Sequence, residues 1–539
     1  MCRILGAAPV LRRRLQFTRS EDAAIDSAEN PRSKRRRRSK SPGDEPVSRP
    51  TDYRQLRNPF APQPVFPEDR VRAMHDSALR VLEELGIRIL LPEARSLFMQ
   101  AGALVDDDTE MVRIGRDIVE EALRLAPRSY RLHAADSSRD MICEEGALNF
   151  QAGSGCPNAT DLARGRRPGT LNDFEEILKV TQGFDVLHQN GPHVEPQDVP
   201  AHLRHYAFTK SQLSLTDKHS FVYARGRAQV LDCFEMFRLA YDIDETRFQS
   251  EAWCTTIVNT NSPRQIDIPM AQALVDFARH GQHSIVTPFC LAGAMAPVTA
   301  AGALTLQHAE ALAAIALTQL AGPGAPVMYG GFSSNVDMKS GSPAFGTPEH
   351  VKMQLGTGQL ARLLGLPWRS AAGTASNLAD AQGAGETVMS LWGAVLAGAT
   401  HVIHCAGWLE GGLTFGFEKM ICDLEAVQGI AELCGPTPAD EDAIGMDALA
   451  DVQPGGHFFS TAHTMKRYRT AFYEPVVSET ANFGTWTESG ARDAMHRARD
   501  VWQSRLVEYV RPAACEGVAE RLQSFVDRRT REGGAPPES

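Results

Sequence analysis

Apolar residues in the first patterned stretch recur at helical spacing. Val71, Met74, Ala78, Val81, Leu82 and Leu85 fall at i, i+3, i+4 and i+7 separations, and Gly86 stops the run. Two more helices are expected at 93–102 and 115–125, so 51–145 reads as a helical N-terminal region placed to cap one end of the neighbouring domain. From about 146 the rhythm changes. Short apolar, β-branched or aromatic runs appear at 148–152, 185–189, 219–224, 254–259, 284–290, 326–330, 366–370 and 401–405. Each is followed by a loop rich in Gly, Pro or Asn and then by a helix-length segment, as at 264–280, 299–320, 347–364, 382–397 and 418–433. A strand, loop and helix repeated in this way predict an α/β fold, a (β/α)8 TIM barrel over 146–435, in preference to an open doubly wound sheet. Residues 436–539 return to a charged helical pattern and read as a helical C-terminal extension.

Composition narrows the function classes. At 539 residues the chain exceeds the roughly 250 residues of one barrel, leaving room for both extensions. A net charge of −10 argues against nucleic acid as the main partner, and no uninterrupted apolar run reaches the ~18 residues of a membrane span. The ten cysteines are scattered without a C-x-x-C pair, which suits a reducing, cytoplasmic setting. Residues 1–50 hold the basic run Lys34-Arg35-Arg36-Arg37-Arg38-Ser39-Lys40 and too little apolar surface to fold, so a disordered basic tail is expected; the alternative is a contact with nucleic acid or another anionic partner. Arginines before Leu15 look like an export signal, but four acidic residues between Thr18 and Asn30 occupy the place of its apolar core.

In such a barrel the chemistry sits on the strand C-termini and the loops after them. Those loops are rich in glycine and poor in acid–base pairs. They hold no P-loop and no G-x-G-x-x-G between a strand and a helix. His401, His404 and Cys405 lie together, but alternation along a strand separates neighbours and no metal site is assigned. His308 and Glu310, inside an apolar segment, read as satisfied core or helix-surface groups. What the loops do offer is aromatic surface beside carboxylates: Tyr329, Phe332, Trp368, Trp408 and Phe415, with Glu195, Asp337 and Glu410. Aromatic faces and a carboxylate are how proteins hold a quaternary ammonium, although aromatics at strand ends are also ordinary core residues.

The stretch Tyr329-Gly330-Gly331-Phe332-Ser333-Ser334-Asn335-Val336-Asp337-Met338-Lys339-Ser340-Gly341, with Ala344 to Glu349, resembles the trimethylamine methyltransferase family. So do Gly365 to Ser370 with Asp380-Ala381-Gln382, Ala406 to Leu413, and Gly455-Gly456-His457-Phe458 with His463-Thr464; the likeness spans roughly 65–510. The resemblance implies a barrel enzyme that passes a methyl group from a quaternary or tertiary methylamine to the Co(I) of a corrinoid (cobalamin) on a separate protein, as in methanogenesis-related metabolism. From their clustering at the strand ends, Tyr329, Phe332, Trp368 and Trp408 with Glu195, Asp337 and Glu410 are expected to line the amine pocket, and no catalytic residue is assigned. Archaeal trimethylamine enzymes carry pyrrolysine. Only standard residues stand here, so the branch similar to glycine betaine demethylases is expected. The D-x-H-x-x-G signature of a corrinoid domain is missing, Asp217-Lys218-His219 being the nearest match, so no cofactor is expected on this chain and the corrinoid protein is expected as partner. Self-association into a homo-oligomer is compatible with the sequence. Two other readings stay open: a methyl-corrinoid:tetrahydrofolate methyltransferase and a non-catalytic betaine-binding protein.

Overall fold

The computed structural model describes residues 51–538. Helices α1 (Glu68–Arg80), α2 (Pro92–Gln100) and α3 (Arg116–Leu125) form where the apolar spacing predicts them. A π turn carries α1 on to Leu85, and Gly86 at φ +72° reverses the chain. The region is not purely helical, which corrects the expectation from sequence. Ile87–Ile89, Leu104–Asp106 and Met111–Arg113 pair into a small sheet completed by Gln265–Ile266, and Tyr130–Leu132 with Met141–Cys143 makes a hairpin. Strands of three residues show too little alternation to stand out from loops.

From Ala147 on, strands and helices alternate. The strands are β1 (Ala147–Phe150), β2 (Ser220–Phe221), β3 (Cys254–Val258), β4 (His283–Val286), β5 (Val327–Gly330), β6 (Trp368–Ala371) and β7 (His401–Ile403). They lie in one curled sheet in the order β1-β7-β6-β5-β4-β3-β2, every pairing parallel, with Leu56–Arg57 added antiparallel to β1. Between β1 and β2 runs the segment around Gln189, which makes single parallel bridges to Gln151 on one side and His219 on the other. His188 N donates to Phe150 O at 2.9 Å and Asn190 N to His219 O at 3.0 Å. The expected strand 185–189 is thus cut to one paired residue, because Gly191 and Pro192 end the ladder at once.

The helices are α4 (Leu171–Gln182), α5 (Arg204–Leu215), α6 (Arg227–Tyr241), α7 (Ile268–Arg279), α8 (Ala300–Ala321), α9 (Pro348–Leu364), α10 (Ala381–Leu396) and α11 (Phe417–Cys434). Thr170, Asp267, Thr299, Thr347 and Asp380 start five of them by accepting a backbone N–H three residues on. α8 is apolar and long enough to cross a membrane by composition, but it packs against α1, α3, α7 and α9 with 72% of its most apolar window buried.

Beyond Cys434 the expected helical extension starts with helices of at most six residues, up to Glu488, interrupted by Gly445, Gly455 and Gly456. Its long helices come late: α12 (Ala494–Val507) packs on α11 and α4, and α13 (Val518–Arg531) on α5 and α6. The basic run at 34–40 lies outside the described residues.

Register assigns the two faces of the sheet. Asn149 pairs with His401, His401 with Arg369, Arg369 with Gly330, Met328 with Ile285, His283 with Thr255 and Thr255 with Phe221. These residues share one face, because side chains alternate with period two. Across it His219 Nε2 meets Thr255 Oγ1 at 2.7 Å, and Thr255 Oγ1 meets His283 Nδ1 at 2.9 Å. The other face holds Leu148, Phe150, Val258, Val286, Val327, Tyr329, Trp368 and Val402, which join the apolar core under the helices.

Candidate functional site

A cavity of about 440 Å³ opens at the C-terminal ends of the strands. Its walls come from the segments after β1 (Ser154, Gly155), β2 (Tyr223, Arg225), β5 (Phe332) and β7 (His404, Trp408), with Arg369 of β6 at its inner end. A hollow of about 630 Å³ around Tyr130, Ala252 and Pro326 lies at the opposite end, where parallel α/β folds keep no chemistry.

Phe332 reaches the cavity because β5 ends in two glycines. A Cβ on Gly330 would collide with the Val286 carbonyl oxygen, and one on Gly331 with Thr357, so only this pair lets the strand end lie so close to β4 and α9. The ring then stacks on Phe345, centroids 4.9 Å apart and planes 13° from parallel, with Trp408 at 5.7 Å. Trp408 is clamped between the backbones at Gly373 and Gly412, and its Nε1 donates to Ser154 O at 3.3 Å. His404, held at φ +62°, stacks on Trp408 at 4.7 Å and 21°, and its Nδ1 accepts from Ser154 N at 3.2 Å. That bond leaves the ring proton on Nε2. Burial, and then the Arg369 charge, pull its pKa well below the usual histidine value, so His404 is a neutral ring.

The floor is polar. Arg369 is 1% exposed, with its guanidinium carbon 4.8 Å from the centre of the Phe332 ring. Among the described residues its Nε and Nη1 have no hydrogen-bond partner, nor do both ring nitrogens of His401, both amide atoms of Gln189 or Oε1 of Gln151. Gln151, Gln189, Arg369 and His401 all stand in the inward register, so unspent hydrogen-bonding capacity is gathered inside the curl of strands.

Of the seven residues expected to line an amine pocket, the structure brings Phe332 and Trp408 together at the cavity. Tyr329 and Trp368 stand on the outward face instead. Tyr329 OH meets His308 Nδ1 of α8 at 2.9 Å, and Trp368 Nε1 donates to Gly398 O at 2.8 Å. The carboxylates are spent elsewhere: Glu195 pairs with Arg204, Glu410 takes two bonds from Arg166 Nε and Nη2 at 2.9 and 3.0 Å, and exposed Asp337 binds Ser340. No acidic side chain among the described residues lines the cavity. His308 and Glu310 are satisfied core groups, as expected. His308 also meets His75, while Glu310 accepts from Thr260, Ser262 and the Arg264 N–H at 2.5 to 2.7 Å. Sequence reasoning misses Arg369, Gln151 and Gln189, whose signal is a polar or charged residue inside an otherwise apolar strand.

The sequence pattern of the family described as trimethylamine methyltransferase (MTTB) matches residues 31–534, further toward both ends than the likeness carried by the motifs. Glycine betaine methyltransferase of Desulfitobacterium hafniense (strain Y51) is 33% identical over 472 residues, 87% of this chain and 98% of that protein. Trimethylamine methyltransferase MttB of D. hafniense (strain DSM 10664 / DCB-2) is 28% identical over 87% of this chain and 94% of its own length. Among solved structures, the monomethylamine methyltransferase of Methanosarcina barkeri superposes with a TM-score of 0.45 and 8% identity, covering 83% of this chain and 89% of that one. With its family pattern matched over most of the length, the chain belongs to the trimethylamine methyltransferase family.

Proposed function

We infer that this chain is a closed (β/α)8 barrel that moves a methyl group from a quaternary amine of the glycine betaine kind to the Co(I) of a corrinoid carried by a separate protein. The single observation that carries the reading is the cavity at the strand ends, walled by Phe332, Trp408 and the neutral His404 and lined by no carboxylate of the described residues. Gln189, bridged to both ends of the parallel sheet, supports closure. In this reaction the C–N bond breaks with its electron pair going to nitrogen, and the methyl carbon bonds to cobalt through the Co(I) pair. No proton moves, so the site needs no general acid or base. Its task is to hold the N–CH3 bond in line, which aromatic walls perform by cation–π contact and shape. A carboxylate against the nitrogen would hold the charged ground state more tightly than a transition state in which that charge is fading. The cavity's carboxylate-free lining therefore suits a cation that must be discharged.

The test uses the purified protein, a reduced corrinoid protein and glycine betaine. Loss of the Co(I) absorbance with one dimethylglycine formed per methyl transferred is expected, with trimethylamine a poor donor. Methyl transfer without any corrinoid, or trimethylamine as the better donor, rules the reading out.

A further inference from the structure

Arg369 carries a buried charge that no described residue balances. Burial is the one influence on its ionisation, pulling its pKa down to about 9, with no carboxylate contributing. The histidines that face it, His350, His401 and His404, are all held neutral by burial. Its Nε and Nη1 are unpartnered among the described residues, and the cavity it borders has no acidic wall there. An isolated buried ion is costly, and the cost is relieved when a counter-charge arrives. A guanidinium is a planar fork matched to a carboxylate, which it binds through two parallel N–H bonds. One face of this fork lies on Phe332, whose ring belongs to the aromatic wall, so a buried guanidinium stands directly beside the aromatic rings of the cavity.

We propose that Arg369 binds the carboxylate of the substrate, which makes the cavity selective for a zwitterion bearing an acid group and a quaternary nitrogen a few bonds apart. The aromatic end rests on the methyl-transfer reading above; the anion end rests on Arg369 alone. The arginine thereby supplies what aromatic walls cannot: discrimination against trimethylamine, choline and other cations without an acid group.

The experiment measures calorimetric binding and ligand-induced shifts in Tm for the full chain and its Arg369→Met and Arg369→Lys variants. The probes are glycine betaine, its uncharged-carbon isostere 3,3-dimethylbutanoate, choline and tetramethylammonium. Wild type is expected to bind the two carboxylates at least tenfold more tightly than choline. R369M should lose 100-fold or more for both carboxylates and keep tetramethylammonium within threefold. R369K, which keeps the charge without the fork, should lose about tenfold. Without ligand, R369M should melt no lower than wild type, since an uncompensated charge has gone. The proposal is overturned if wild type binds choline as tightly as betaine, if it binds neither carboxylate, or if R369M binds 3,3-dimethylbutanoate as wild type does. Should R369M fail to fold, the wild-type comparison of carboxylates with choline and the R369K loss decide the matter. Arg369-dependent binding of 3,3-dimethylbutanoate with no methyl transfer from betaine would leave Arg369 in its role and remove the proposed reaction.

Discussion

The two faces of the parallel sheet are both buried, yet they are built from different chemistry. The outward face, with Val286, Tyr329, Trp368 and Val402, is mainly apolar and pairs its large polar groups, the Tyr329 hydroxyl with His308 and the Trp368 indole with Gly398, leaving only a small hydroxyl such as that of Ser284 unpartnered among the described residues. The inward face carries Gln151, Gln189, His283, Arg369 and His401, and leaves several of their polar atoms unpartnered among the described residues. Residues that hold the fold and residues that meet a ligand can therefore sit side by side in one strand, as Trp368 and Arg369 do, and be told apart only by which way they point.

The largest expected effect probes the polar interior and its surroundings. Burial lowers His193, His219 and His350 to about 4 each. In the unfolded chain they titrate near 6.5, so the folded state binds fewer protons and their stabilisation is fully present above 6.5. It is lost as pH falls from 6.5 toward 4, by about 1.4 kcal/mol per pH unit for each histidine. Thermal unfolding should give a flat Tm from pH 7 to 8 and a steep fall below 6.5; a Tm unchanged down to pH 5 would contradict the neutral state of these histidines.

On the outward face, Trp368→Ala should cost about 3–5 kcal/mol in denaturant unfolding, with any loss of activity tracking the unfolded fraction. At the cavity, Trp408→Leu keeps apolar bulk and removes one aromatic face, which is worth ~1–2 kcal/mol when desolvated. Methyl transfer should then drop by about tenfold, well beyond any change in folded fraction. If instead the Trp368 variant proves the kinetically impaired one at full folding, the assignment of faces is inverted. The smallest effect belongs to Tyr329→Phe, which should cost about 1–2 kcal/mol by leaving buried His308 Nδ1 without its partner and should leave the KM for betaine where it was.

Much of the architecture is legible in the chain. The spacing of apolar runs, the glycine and proline breaks and the Thr or Asp caps locate the strand and helix repeats to within a few residues, because each signal acts over a single turn or loop. Three-residue strands in the N-terminal region escape, as does the reduction of 185–189 to one bridge at Gln189. Motif likeness points to the family, and with it to the loops after β5 and β7 that supply Phe332 and Trp408.

What the chain order cannot say is which side of each strand faces inward. A parallel sheet is covered on both faces, so the alternation of Leu148 and Phe150 with Asn149 and Gln151 does not carry its usual meaning of a core side and a solvent side. Tyr329 and Phe332 therefore look equivalent, as do Trp368 and Trp408, and the carboxylates Glu195 and Glu410 look available although Arg204 and Arg166 hold them. The sequence alone determined that strand would follow helix and that aromatic and glycine-rich loops would cluster after the strands, since local propensity and spacing suffice for that. The tertiary structure alone decided that Arg369, His401 and Gln189 share one buried interior, because that depends on register between segments as far apart in the chain as Asn149 and His401, and no local signal carries it.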